Sequence, residues 1–193
     1  MLNNQSKAND NIFADIEKTV TSDTSARAGG VFTVKCFDKD GNLKWEESVH
    51  NLVVNTGLQD MNTQYFKGVS YTAAWYLGLV TGPGSGNTYS AGDTMVTHAG
   101  WSEDTNYSGN RKAVSFGTAS TADPSVISNS ASQATFAMTG TTTIAGAFLT
   151  TDSTKGGTTG TLFSVANFQS PGDRSVINGD TLSVTYTFNL DAA

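Results

Sequence analysis

The last strand of the chain constrains its fold more than any other segment. From Gly179 to Leu190 apolar and polar residues alternate without a slip. Leu182, Val184, Tyr186, Phe188 and Leu190 fall on one face, and Ser183, Thr185, Thr187 and Asn189 on the other. That period of two belongs to a half-buried β-strand. It predicts an all-β shell with a wet outer surface and offers no catalytic cleft.

A chain of 193 residues suffices for one well-buried core, so one domain plus an appendage is expected. Only 37% of residues are hydrophobic and 15% charged, which leaves Thr, Ser, Gly and Asn to dominate; ten Phe, six Tyr and three Trp still supply material for a core. The net charge of -6 and the lack of any basic cluster argue against nucleic acid as a partner. Cys36 is the single cysteine, so neither an intrachain disulfide nor a thiolate zinc site can form, and its strand setting reads as a small core residue. The N-terminus lacks the basic and apolar regions of a secretory signal and nothing approaches a membrane span, so a soluble cytoplasmic product is expected.

Residues 1–29 differ from the rest and read as a flexible N-terminal arm, set off from a β-sandwich domain over 30–193 by Gly29-Gly30. Within the arm Ile12, Phe13, Ile16 and Val20 recur at helical spacing, with Asp10 placed to cap them. Two readings stand: a disordered leader, or an amphipathic turn that docks on a neighbouring subunit. From Val31 onward the pattern is strands and turns. Runs at 31–37 and 43–54 flank Asp40-Gly41, a tight-hairpin signal. The stretch 55–66 predicts one short helix over an open end of the sandwich, with Leu58, Met61, Tyr65 and Phe66 on one face and a Thr56/Gln59 capping box. Further strands are expected at 71–80, 112–117, 133–139, 142–150, 161–168 and 180–190, a spacing that suits a jelly-roll-like sandwich. Threonines 141–143, 150, 151 and 154 should line exposed faces or edges, and the long polar loop 81–110 should carry an edge strand or a function.

Candidate chemistry is sparse. Asp38, Asp40 and Asn42 have the spacing that opens a calcium loop but lack the downstream glutamate, so a hairpin turn is preferred. His50 and His98 stand in no nucleophile or metal motif, and a triad of His98, Asp93 and a serine has nothing in the spacing to ask for it. Gly156, Gly157 and Gly160 lack the Lys-Ser/Thr of a phosphate loop and fit a long hairpin turn. The most varied segment surrounds Trp101. In a glycan-binding protein Trp101 and Tyr107 would stack on sugar while Glu103 or Asp104 accepted its hydroxyls; alternatively Trp101 anchors the long loop onto the core.

Taken together, Trp75–Leu79, Ala91–Met95, His98–Glu103, Thr143–Thr150, Lys155–Leu162 and Gly179–Tyr186 resemble a family of small virion structural proteins of tailed bacteriophages, over roughly Val49 to Leu190. Members with a known place look like head decoration, or cement, proteins. The resemblance implies a jelly-roll-like β domain on the capsid exterior, with the major capsid protein and other copies of itself, as homotrimer or homodimer, for partners. It implies no catalytic residues, cofactor or metal. Ile12, Phe13, Ile16 and Val20 then become candidates for the capsid or subunit contact. The rival expectation is a tail-associated or receptor-binding module that uses Trp101, Glu103 and Tyr107 on glycans.

Overall fold

The computed structural model describes residues 26–68, 74–168 and 172–192. The described chain is an all-β sandwich of two antiparallel sheets, with one α-helix among the described residues. The hairpin is formed as expected: β1 (Ala26–Phe37) pairs with β2 (Leu43–His50) across a turn in which Gly41 takes φ 86. Asp38 Oδ1 accepts the backbone N–H groups of Asp40 and Asn42, each at 2.9 Å, so the carboxylate is spent on closing the turn. The last strand, β12 (Thr181–Ala192), pairs along the full length of β1, from Ala26↔Ala192 to Phe37↔Thr181. Residues 26–29, in the stretch assigned to the arm, are thus already part of strand β1. Gly30 is no linker either: a Cβ there would lie 2.7 Å from the Thr187 carbonyl oxygen and 2.9 Å from Tyr186 Oη, so glycine permits the close β1–β12 approach.

The other edge of β12 is shared by two short strands, β7 (Ser125–Ser128) and β8 (Ala134–Ala137). Between them the ladder is broken, and Asn129, fully buried, repairs it. Its Oδ1 accepts the Tyr186 N–H at 2.7 Å and its Nδ2 donates to the Val184 carbonyl at 3.3 Å, so the amide partners two backbone groups of β12 in the gap. The second sheet runs in the order β3 (Leu52–Val53), β10 (Leu162–Asn167), β9 (Thr142–Thr150), β4 (Tyr76–Thr81) and β5 (Glu103–Asp104). Two more short strands join it, β11 (Arg174–Val176) on β9 and β6 (Lys112–Ala113) on β4.

Leu182, Val184 and Tyr186 of β12 line the space between the sheets with Phe32, Val34, Leu77, Leu79, Phe136 and Leu149, which makes β12 an inner wall. The alternation holds only in part. Phe188 is half-buried and Leu190 is 40% exposed, whereas Ser183 and Thr185 on the polar face are buried because Gln133 covers them. Its amide donates to Thr185 Oγ1 at 2.9 Å and accepts from Ser183 Oγ at 2.7 Å. Thr150, expected on an exposed edge, is fully buried because β9 is central, with Leu162 and Tyr76 paired on its two sides.

The expected helix forms as α1 (Asn55–Lys67), closed by Gly68 at φ 59, ψ 34, but it docks differently. No side chain caps its N-terminus; Thr56 Oγ1 instead donates to the Leu162 carbonyl at 2.8 Å. The helix lies on β10 through Gly57, where a Cβ would come within 2.4 Å of the Phe163 carbonyl oxygen. With that side turned inward, the apolar face is left out: Leu58 is 42%, Tyr65 84% and Phe66 77% exposed, and only Met61 packs against the core.

Candidate functional site

The loop 81–110 makes the most elaborate local structure in the described chain. The outer face of the second sheet is apolar. Phe148 faces outward by plain alternation with Ala147 and Leu149, and opposite Val80 and Thr81 the β9 register shifts so that the extra Ala145 joins it there while Ile144 points into the main core. Phe148 lies across β4 because Gly78 offers no Cβ; one there would sit 2.2 Å from the ring. Met95 and Trp101 close over Phe148, Val80, Leu162 and Val165 as a second, smaller core.

Trp101 is 3% exposed. Its Nε1 donates to Asp93 Oδ2 at 3.0 Å, and its ring stacks on His98 at 4.1 Å and meets Phe148 at 5.3 Å. The tryptophan thus anchors the loop. Asp93 is taken up by the indole and by the Ser90 N–H, while His98 Nδ1 sits 3.0 Å from the Trp101 carbonyl oxygen; no hydrogen bond joins His98 to Asp93 among the described residues. Among those residues no group of three or more His, Cys, Asp or Glu is placed to hold a metal ion.

Glu103, on β5 at the sheet edge, binds the remaining loops together through Arg111, a residue that nothing in the sequence pattern singled out. The guanidinium is fully buried and stands 5.2 Å above the Phe148 ring. Nε and Nη2 donate to the two Glu103 oxygens at 3.1 and 2.7 Å, Nη1 to the Asp152 carbonyl at 3.1 Å and Nη2 to the Gly157 carbonyl at 2.7 Å. Glu103 also accepts from Tyr107 Oη at 2.9 Å and from the Gly156 N–H at 2.8 Å. Asp104 is spent likewise, on Thr142 Oγ1 and the Asn106 N–H. A cavity of about 250 Å³ remains beside Met95, His98, Glu103, Arg111 and Thr158.

Compared with family models, curated proteins and solved structures, the chain matches none. Its possible chemistry therefore rests on this geometry. Trp101, Glu103 and Tyr107 do converge, but as interior groups: Trp101 belongs to the outer core, Tyr107, 1% exposed, to the inner one, and Glu103 is the ion-paired link between them. Both rings are largely enclosed by protein, and Trp101 borders the cavity of about 250 Å³. Ile12, Phe13, Ile16 and Val20 lie outside the described residues. No helix among the described residues is long and apolar enough to cross a membrane.

Burial also fixes the protonation of the interior. The Cys36 thiol is pushed up to about 12, first by burial and then by the Asp180 carboxylate, and the Tyr89 hydroxyl is raised to about 12 by burial. Burial raises Tyr107, with Glu103 adding to the effect, and it raises Tyr186. Each of these acids holds its proton more tightly folded than unfolded. Their stabilisation is complete below about pH 9, the ordinary value of the thiol, and is lost as pH climbs toward 12. Denaturant midpoints measured across that window should fall steadily, and Cys36 should resist alkylation in the folded protein at neutral pH. A flat stability profile, or rapid native labelling, would contradict the burial of these groups.

Proposed function

We propose that this chain is a non-enzymatic decoration, or cement, protein of a tailed-phage head, bound to the outer surface of the shell and bridging major capsid subunits. The observation that carries this is where the segments of the resemblance fall. Trp75–Leu79 and Thr143–Thr150 contain the paired strands β4 and β9; Ala91–Met95 and His98–Glu103 hold the cover over them; Lys155–Leu162 supplies the Gly156 and Gly157 groups that meet Glu103 and Arg111. Five of the six segments thus build one continuous unit, the second sheet with its cover, and the sixth is the strand that faces it. The segments that carry the resemblance build a rigid body whose long loop 81–110 is tied down by Trp101 and Glu103.

Such a body fits a mechanical role. A protein that binds only the assembled shell stabilises it by mass action, and contacts repeated around symmetry axes add avidity without any single strong patch. The arm residues Ile12, Phe13, Ile16 and Val20 are the candidates for the contact with the shell or a neighbouring copy. Heads assembled without this protein should release their DNA at a lower temperature than complete heads, and adding the purified chain back should restore the difference. Heads equally stable with and without it would count against a cement role.

A further inference from the structure

A groove of about 680 Å³ opens beside the apolar face that α1 turns away from β10. Its walls are Met61, Tyr65 and Phe66 of the helix, Trp75, and Leu190 at the end of β12. Tyr65 and Phe66 pack edge to face at 5.0 Å, so the exposed rings form one patch. Gln64 also lines the groove. Its Nε2 donates to Asp60 Oδ1 at 3.2 Å, whereas its Oε1 is buried and accepts no hydrogen bond. A buried acceptor without a donor costs on the order of 1–3 kcal/mol. That atom is closed off from the open groove, so what the groove lacks is apolar cover for its exposed rings, which an amphipathic peptide segment supplies.

We propose that the occupant is the chain's own N-terminal segment, with Ile12, Phe13, Ile16 and Val20 seated in the groove of the same molecule. Ala26, the first described residue, is itself part of the groove lining, so the segment leaves the sandwich at the rim of the site it would fill. Val20 lies six residues before Ala26, a tether that spans at most about 20 Å. The spacing of the four residues puts them on one side of a helical turn, which suits laying an apolar face into a groove. Attachment at the rim gives the segment a local concentration that a second molecule cannot match in dilute solution. The claim concerns the free protein and stands whether or not the chain decorates a head. On a particle the same residues would have to leave the groove before touching a neighbour.

Nuclear Overhauser contacts in the full chain test this. Methyl protons of Ile16 and Val20 should show contacts to the rings of Tyr65, Phe66 or Trp75, and these should vanish when an isotope filter selects contacts between different molecules of a mixed-label sample. Contacts that survive the filter would place the segment on a second copy and overturn the proposal; absence of any such contact would overturn it as well. In parallel, Ile16→Asp in the full chain should raise the fluorescence of a hydrophobic dye several-fold as the patch is uncovered, with the unfolding temperature of the sandwich little changed. No rise would mean that the segment does not cover the groove.

Discussion

Arg111→Ala should lower the unfolding free energy by about 3–5 kcal/mol, because it strips a buried carboxylate of its partner. Glu103 is only 7% exposed at its side chain, and without the guanidinium it would keep just the Tyr107 hydroxyl and the Gly156 N–H as donors. The carbonyls of Asp152 and Gly157 would lose their donor in the same step. The loss should shrink in the double variant with Glu103→Gln, since a neutral amide costs far less to bury than an orphaned charge. Denaturant titration of the two single variants and the double one measures this. Equal losses for Arg111→Ala and the double variant would mean that charge pairing is not what makes the site costly to break.

Trp101→Ala should cost a similar amount, about 3–5 kcal/mol, for a different reason: it empties the largest ring from the outer core. Phe148, Val80 and Leu162 would then face water through the gap, and Asp93 would lose the indole donor. Trp101→Phe separates the two effects. It keeps most of the apolar cover and removes only the hydrogen bond, so it should cost about 1–3 kcal/mol. Thermal and denaturant unfolding of both variants give the comparison. A Trp101→Ala protein as stable as the parent would show that the loop 81–110 does not depend on this anchor.

The residues that announced themselves in the sequence are those whose burial follows a simple period. Leu182 to Leu190 declared a strand, and Asp40-Gly41 declared its hairpin partner region at the other end of the same sheet. β9 was legible as a strand, yet the turn of Ala145 outward and Ile144 inward depends on one extra residue, which no local pattern marks. Strands β5, β7 and β11 escaped because two to four residues are too few to show a period and pair only where longer neighbours offer an edge. The helix was legible from its apolar residues, but its orientation was not. Gly57, which weakens a helix by propensity, is what lets α1 touch β10, and docking through it exposes the face that periodicity would bury. Arg111 was invisible for a related reason. Its partner Glu103 is eight positions away, beyond any local spacing rule, and its carbonyl partners lie more than forty residues downstream.

The decoration role is tested most directly by electron cryomicroscopy of the intact particle. This sandwich should appear in density on the outside of the head, repeated around the symmetry axes of the shell in hundreds of copies and in contact with the major capsid protein. Density for it only at the tail, in a few to a few tens of copies, would contradict a decoration role and support a receptor-binding one.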